Sequence, residues 1–560
     1  MDQFPQELVD RISRYLSHDD LKSTLVLSNS FRFAAEKYSG AFCAFALNED
    51  NAEKFVDTFS GHRLLYLRSL EFWTRLPRVE YRHPPLRGNA DQLSENDTSF
   101  TRQIKFLFKT LKKVEERAGN QNKPGRIELT IYAPQRPVAH AYQPLSYHHF
   151  LSWRVHLLEP AALPSLESIR SLEIKEGSLQ SDETNDADYS LEPVKLDYRV
   201  MVDLVVNFPN LEYWGCQIGG DEWTPKWQRE ATDYLMRDWA GPRRDTRQDF
   251  AKALESARLP NSLRRIRLDF LHHLHDAMRV DHHTKQPDLV KPAHYDLFSN
   301  SLHHLSQHLR RLHLRVVADE TLFWPKNGCI TSWPNLESLV VMFHMVSPSG
   351  KWYFEGPKGV GCDTAAFEVT NASYPPLETT DYDEEMRQRI ESEGDRRSED
   401  NNVRFRIVPN DTTLRPFLAA FANAASNMIA LKEAALWCPL AWEPDYDDPI
   451  EVEDGWLPDN TLDEQSLAWG VYYIAPGERD YTQPEGPPSE TPQLWWRVAK
   501  WRPDPELHEL FQQIGRKPWG DSQKEHWEDD EYGDGLVDRD YFESYIQEEV
   551  DSLGRIPVLN

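Results

Sequence analysis

The apolar pattern LxxLxL recurs along most of this chain and constrains its fold more than any other feature. The second and third apolar residues of each copy stand two positions apart, the spacing at which side chains share one face of a β-strand. Several copies follow a proline that ends the preceding segment, as in Phe208-Pro209-Asn210-Leu211 and Trp333-Pro334-Asn335-Leu336. The pattern predicts short buried strands at Leu67-Leu70-Phe72, Ile169-Leu172-Ile174, Leu211-Trp214-Cys216, Leu263-Ile266-Leu268, Leu309-Leu312-Leu314, Leu336-Leu339-Val341 and, more weakly, Leu431-Ala434-Leu436.

Further strands and helices are predicted around and between these copies. Arg126–Tyr132 alternates like a strand, and four segments have helical character: Phe100–Arg117, Leu196–Asn207, Thr224–Asp238 and Leu414–Asn427. Alternating strands and helices predict an α/β fold class. The layout resembles an irregular leucine-rich-repeat solenoid with long insertions, which implies one strand per unit in a continuous parallel sheet. A different α/β domain is the alternative, because LxxLxL also describes ordinary buried strands.

The first part of the chain, Phe4–Tyr38, predicts three short helices. Pro5 suits a first helical turn, and Ser17 and Ser28 are suitable caps for the second and third helices. Apolar residues recur at helical spacing in each predicted helix. They are Leu8, Ile12, Tyr15 and Leu16, then Leu21, Leu25 and Val26, then Phe31, Ala34, Ala35 and Tyr38.

This segment resembles an F-box, and the whole layout resembles fungal F-box proteins with a degenerate leucine-rich region. The matching residues, in register, are Phe4-Pro5, Glu7-Leu8, Ile12, Leu16, Asp20-Leu21, Leu27-Ser28 and Phe31. The sequence departs from the pattern at Leu27, where valine is usual, and at Asn29-Ser30, where a basic pair is common. The resemblance implies that the segment binds the Skp-type adaptor of a cullin-based ubiquitin ligase. It implies adaptor contacts for Phe4, Pro5, Leu8, Ile12, Leu16, Leu21, Leu27 and Phe31, although some of these must hold the helices together. The alternative is a generic helical N-terminus packed on its own domain.

Composition excludes several classes of function. The 560 residues are 39% hydrophobic and include 18 tryptophans, so we expect a large folded core. A net charge of −28 argues against general binding to nucleic acid or anionic membranes. Five cysteines without a CxxC pair suggest neither a disulfide framework nor a zinc site. With no signal peptide or transmembrane stretch in the sequence, we expect a cytoplasmic and/or nuclear protein.

The chain divides into three predicted regions. Residues 1–45 form the F-box-like region, residues 60–445 form the strand-rich region with a charged insertion at about 374–402, and residues 446–560 form a C-terminal capping region with an acidic tail. We read the charged insertion as an exposed linker or a solvated helix. In the capping region, Ala468–Ile474 and Leu494–Ala499 predict a hairpin, followed by helices at Asp504–Ile514 and Tyr541–Leu553. Seven tryptophans of the C-terminal third are candidates for target contacts, with core packing the favoured reading: Trp437, Trp442, Trp456, Trp469, Trp495, Trp496 and Trp501.

Histidine clusters are the best candidates for chemistry. His272 and Asp276 have the spacing of two ligands on one helix face, with His273, His275 and His282-His283 nearby. The sequence shows no third ligand at characteristic spacing, and structural roles are favoured for these histidines and for His303, His304 and His308. A glycine-rich stretch at Gly356, Gly359 and Gly361 is typical of a turn. We therefore predict no catalytic residue, no metal and no cofactor.

The predicted function is that of a non-catalytic substrate receptor in an SCF-type ubiquitin ligase. The adaptor would link the chain to the cullin, and the downstream region would bind a protein target that the sequence does not identify. Two alternatives stay open. One is an F-box scaffold without a ligase role. The other is an enzyme with a metal-dependent site around His272.

Overall fold

The computed structural model of the chain is built around one long β-sheet with helices between its strands. It describes residues 4–78, 89–119, 125–139, 152–177, 189–220, 231, 234, 237–325, 332–393, 402–444, 450–453, 455–457, 465–479, 486–527 and 535–542. In these ranges, none of the helices is both long and apolar enough to cross a membrane.

Nine strands of the sheet are parallel and follow one another in chain order. They are β1 (Ala44–Leu47), β2 (Ser69–Arg75), β3 (Ile127–Ala139), β4 (Ile169–Lys175), β6 (Tyr213–Gly219), β7 (Arg265–His272), β9 (Arg311–Val316), β10 (Ser338–Phe343) and β14 (Glu433–Trp442). The sheet continues antiparallel through β15 (Gln465–Ile474) and β16 (Gln493–Arg497), and β17 (Lys524–His526) is parallel to β16.

Six further strands complete the set in the described ranges. The strand β5 (Tyr189–Pro193) pairs with β3, and β18 (Val537–Asp538) pairs with β15, both antiparallel. Two small ladders stand apart from the sheet and join β8 (Pro287–Asp288) to β12 (Phe367–Glu368) and β11 (Phe354–Glu355) to β13 (Val408–Pro409).

In the described ranges, three helices precede the first strand and the others lie between strands. They are α1 (Gln6–Ser13), α2 (His18–Thr24), α3 (Asn29–Tyr38), α4 (Ala52–Phe59), α5 (Ala90–Ala118), α6 (Arg199–Val205), α7 (Ala240–Ser256), α8 (Leu274–Ala277), α9 (Leu297–Ser306), α10 (Asp381–Glu393), α11 (Asp411–Ser426), α12 (Pro505–Gln512) and α13 (Arg516–Trp519). Short 3₁₀ turns occur at His62–Leu65, Pro160–Ala162, Glu320–Leu322, Pro357–Gly359 and Asn371–Ser373.

The recurring LxxLxL pattern corresponds to the parallel strands, so the α/β fold class is confirmed. All seven copies and the alternating segment Arg126–Tyr132 overlap strands of the sheet. Paired residues share a face, and Leu172 of β4 stands beside Leu129 of β3 and Trp214 of β6. All three are buried. The second and third apolar positions of each copy thus form continuous buried rows across the sheet, which explains why the spacing repeats.

The predicted helices agree with the structure where it describes them. The helix predicted at Phe100–Arg117 is part of the longer α5, which Asn89 caps in a reciprocal pair with Gln92. The helices α6 and α11 lie within the predicted segments to within a few residues. Most of Thr224–Asp238 lies outside the described residues.

Within the charged insertion, Asp381–Glu393 form the helix α10, which is not solvated on all sides. Met386 and Asp383 of α10 are fully buried. Met386 packs on Ala231, and the rings of Tyr382 and Tyr234 lie 4.8 Å apart. The helical alternative of the prediction therefore fits residues 381–393, with one face of the helix packed through Asp383 and Met386.

The C-terminal region extends the sheet and its core. The predicted hairpin is confirmed, because β15 and β16 pair antiparallel. The helix predicted at Asp504–Ile514 is α12, capped by Asp504. Of the predicted helix at Tyr541–Leu553 only the first two residues are described, and the acidic stretch 528–534 lies outside the described residues. Five of the seven tryptophans are buried and two are half-buried against the same core: Trp437, Trp442, Trp469, Trp496 and Trp501, then Trp456 and Trp495.

Candidate functional site

The N-terminal helices form where the sequence places them. Pro5 stands at the N-cap position of α1. The hydroxyl of Ser17 accepts a hydrogen bond from the Asp20 amide at the start of α2, and the hydroxyl of Ser28 accepts one from the Phe31 amide at the start of α3. These caps satisfy amide groups that a helix leaves without partners at its first turn. The local chemistry of the sequence therefore sets the three boundaries.

The helices pack through small and buried residues on α3 and on one face of α1. Both α1 and α2 contact α3. Val9 and Ser13, one turn apart on α1, are fully buried, and so are Ala34 and Ala35 of α3. The ammonium group of Lys37 lies 2.8 Å from a carboxylate oxygen of Asp10 and ties α3 to α1 at the rim. The buried residues of α1, Val9 and Ser13, thus each lie one position after Leu8 and Ile12 of the predicted stripe.

Three of the four residues in the predicted stripe of α1 are exposed. The side chains of Leu8 and Ile12 are each 47% exposed, and Tyr15 in the following turn is 80% exposed. They neighbour each other because residues four apart lie on one face of a helix. Phe4 and Pro5 are exposed at the beginning of the same helix.

A second exposed apolar segment follows α2. Leu25, Val26 and Leu27 are all exposed, and Val26 reaches 89%. The side-chain amide of Gln6 donates to the carbonyl oxygen of Ser30 at 3.2 Å, which brings the start of α1 beside the start of α3. Leu27 therefore lies at the same end of the three helices as Phe4. We call the exposed residues Phe4, Pro5, Leu8, Ile12, Tyr15, Leu25, Val26 and Leu27 the N-terminal apolar face.

The structure separates the eight predicted contact residues into three groups. Phe4, Pro5, Leu8, Ile12 and Leu27 are exposed, Leu16 and Phe31 are half-buried, and Leu21 is buried with only 4% exposure. Leu21 therefore belongs to the packing of the helices. Tyr15, Leu25 and Val26 were named as helix residues but not as contact residues.

A buried carboxylate joins these helices to the start of the sheet. Glu36 of α3 accepts two hydrogen bonds from the guanidinium group of Arg63, at 2.6 and 3.1 Å, and its Oε2 lies 2.8 Å from Nε2 of His62. Burial raises the pKa of Glu36, but the bonds from Arg63 and His62 outweigh it and hold the pKa below its ordinary value. The hydroxyl of Tyr66 also donates to the carbonyl oxygen of Phe33. We call this cluster the Glu36 junction.

The histidines named as candidate ligands have different environments. His282 is buried, and its Nδ1 accepts hydrogen bonds from the amides of Phe405 and Arg406. His303 is buried with Nδ1 3.2 Å from the Leu322 carbonyl oxygen, whereas His304 and His308 are exposed. These contacts are structural.

The expected helical pair of His272 and Asp276 does not form. His272 ends β7, and α8 begins only at Leu274, so the two residues do not share a helix face. His272 and His273 lie beside Glu176 instead. The glycine-rich stretch is a turn, as expected, in which Gly359 and Gly361 have positive φ.

Comparison with known proteins adds no family assignment. The chain matches no protein-family model, and no curated protein matches it significantly. The F-box resemblance therefore rests on the quoted residues of the sequence.

Proposed function

We propose that the chain is the substrate-recognition subunit of an SCF-type ubiquitin ligase. The N-terminal apolar face would bind the Skp-type adaptor, and the sheet region, read as a divergent leucine-rich-repeat solenoid, would hold a protein target. Catalysis would come from proximity, because both bound partners are kept near the charged conjugating enzyme.

One observation carries this proposal: five of the eight residues that the F-box resemblance assigns to adaptor contacts are exposed. A generic helical N-terminus would turn its apolar stripe onto its own domain, but α1 buries Val9 and Ser13 and leaves Leu8 and Ile12 in solvent. A cluster of exposed large apolar side chains is typical of a protein-binding surface.

The arrangement of the sheet supports the second half of the proposal. Nine parallel strands in chain order, with helices between them, are what a solenoid with insertions would show. On β2 and β3, one face carries buried residues, and the other carries half-buried Glu71, Trp73, Thr130 and Tyr132. The rings of Trp73 and Tyr132 stack at a centroid distance of 3.5 Å. This part of the sheet is the surface on which we would look first for a target.

Adaptor capture tests the proposal. The full chain should co-purify with a Skp-type adaptor and with cullin, and the double substitution Leu8→Lys with Ile12→Lys should abolish both. The matched control is Leu377→Lys with Ile429→Lys, which changes two equally exposed apolar residues elsewhere, at 45% and 60% exposure. Undiminished adaptor recovery from the Leu8/Ile12 variant, with the fold intact by circular dichroism, would refute the assignment.

Target turnover separates a ligase receptor from a scaffold. If the chain is a receptor, the proteins that it captures should have a longer lifetime in cells that contain the Leu8/Ile12 variant than in cells that contain the intact chain. An unchanged lifetime for every captured protein, with adaptor binding intact in the wild type, would favour the scaffold.

A further inference from the structure

Three potential metal ligands meet at the carboxyl-terminal edge of the sheet. Glu176 is the first residue after β4, and His272 is the last residue of β7, followed by His273. One ligand atom from each residue lies within 4.8 Å of those of the other two. Nδ1 of His273 is 3.6 Å from Oε2 of Glu176. The sequence does not suggest this grouping, because the glutamate and the histidines belong to different strands.

The strand between them allows the approach. Since β6 lies between β4 and β7, the ligands must reach over it across about 10 Å, twice the spacing of neighbouring strands. At the end of β6 stand Gly219, with φ of +98°, and Gly220. A Cβ at Gly220 would lie 2.5 Å from the carbonyl carbon of His272 and 2.6 Å from the amide nitrogen of His273. The absence of a side chain at Gly220 therefore leaves room for the histidine pair to lie across the end of β6.

A buried carboxylate lies behind His272. Oδ2 of the buried Asp269 lies 4.0 Å from Nδ1 of His272 and 3.4 Å from Nη1 of Arg315. At 4.0 Å the contact with His272 is electrostatic and is not a hydrogen bond.

We propose that Glu176, His272 and His273 bind a divalent transition-metal ion, with zinc as the natural candidate. Two imidazole nitrogens and one carboxylate oxygen suit zinc, whereas magnesium and calcium prefer oxygen ligands alone. Zinc bonds of about 2.0–2.2 Å require ligand atoms roughly 3.3 Å apart. The side chain of His273 is 61% exposed and so has room to rotate and close the remaining distance.

Such a site would have a vacant coordination position. Three protein ligands leave the fourth tetrahedral position to water or to an oxygen of a partner, as in open rather than closed zinc sites. The site would thus give the sheet edge an electrophilic point for a carboxylate or phosphate group. The inference goes beyond adaptor binding and does not depend on it.

Zinc titration of the full chain tests the site. After chelator treatment, isothermal titration calorimetry should show one zinc bound with a dissociation constant in the micromolar range or below. The substitutions Glu176→Gln and, separately, His272→Ala with His273→Ala should weaken binding at least tenfold. The matched control, His304→Ala with His308→Ala, removes two exposed histidines. It should leave the dissociation constant for zinc unchanged.

A second measurement covers the case in which the histidine variant fails to fold. X-ray absorption of the zinc-loaded wild type should show only nitrogen and oxygen ligands, with histidine signatures. Two results would overturn the proposal. One is the absence of saturable zinc binding to the wild type. The other is binding that survives unchanged in Glu176→Gln, or that disappears only in the His304/His308 control.

Discussion

Truncation to alanine should reduce stability mainly at Leu21 and adaptor binding mainly at Leu8. Leu21 is 4% exposed and Leu8 is 47% exposed. Leu21→Ala empties a buried site, and such truncations cost about 2–5 kcal/mol of stability. Leu8→Ala removes a side chain that is only half in contact. Full burial of a leucine contributes about 1.5–3 kcal/mol, so the loss of stability should be near 1 kcal/mol.

The effect on adaptor binding should be reversed. If the exposed half of Leu8 becomes buried in the complex, its truncation removes about 1 kcal/mol of binding free energy, roughly a fivefold rise in the dissociation constant. Leu21→Ala should act on the fold of the helices. Hydrogen exchange of the α1–α3 amides measures the first quantity, and adaptor titration by calorimetry at a temperature where both variants are folded measures the second.

The reasoning fails if the two variants behave alike. Equal acceleration of exchange in both would mean that Leu8 is a packing residue in solution. An unchanged adaptor affinity for Leu8→Ala, with exchange near the wild-type rate, would mean that the N-terminal apolar face serves another purpose. Leu377→Ala, at 45% exposure outside this face, is the control for non-specific loss of apolar surface.

Three further predictions concern charged groups. Glu36→Gln should lower the free energy of unfolding by about 1.5–3 kcal/mol, because charged hydrogen bonds are lost. Since the pKa of Glu36 in the folded protein is depressed, this difference from wild type should be full above pH 4.5 and should shrink as the pH falls further, as measured by urea unfolding. His156 lies 3.5 Å from Asp197 and 3.7 Å from Asp97, and hydrogen bonding of its ring N–H groups to these two carboxylates raises its pKa to about 10. The contribution of His156 to stability should be full below pH 6.5 and be lost as the pH rises toward 10. The urea midpoints of wild type and His156→Asn should therefore converge near pH 10, and a constant difference between them would contradict this. Arg247→Ala breaks a buried 2.7 Å ion pair with Asp296 and should cost about 3–5 kcal/mol, whereas Lys252→Ala on the same helix breaks an exposed pair and should cost under about 1 kcal/mol by the same unfolding measurement.

The strands could be predicted because their pattern is local. The apolar spacing that places Leu172 and Ile174 on one face also places them beside the equivalent residues of β3 and β6, since parallel strands pair in register. The caps Ser17 and Ser28 act on amides three residues away, so they too are readable from the sequence. These features need no knowledge of the distant chain.

The division of the N-terminal residues could not be read in this way. Leu8 with Ile12, and Val9 with Ser13, are both pairs four apart, and the first is the more apolar. Hydrophobicity therefore favours the pair that the structure exposes. What buries Val9 and Ser13 is the direction from which α3 approaches, and small Ala34 and Ala35 make that approach close.

The proposed metal site was out of reach for a related reason. The strands that carry Glu176 and His272 are separated by β6. The two residues come close only over the end of β6, at Gly219-Gly220. Helical spacing suggested Asp276 as the partner of His272, but a strand occupies that part of the chain as far as His272. Strand order is a property of the whole sheet, and no local spacing encodes it.

The Glu36 junction bears on whether the proposed receptor could work by proximity. A target gains reactivity from an adaptor-bound enzyme only if the path between the two docking surfaces has a defined geometry, because a flexible tether dilutes the effective concentration. Here α3 is joined to the segment before β2 by the bidentate hydrogen bonds from Arg63 to Glu36 and by the contact of His62 with the same carboxylate. The hydrogen bond from the Tyr66 hydroxyl to the Phe33 carbonyl oxygen adds a further connection. The ring of His62 also lies 4.4 Å from that of Phe33. Contacts of this kind fix both the distance and the rotation of the helices relative to the first strands. Glu36→Gln should therefore lower target ubiquitylation more than adaptor affinity, whereas a tether-like linker would leave both unchanged.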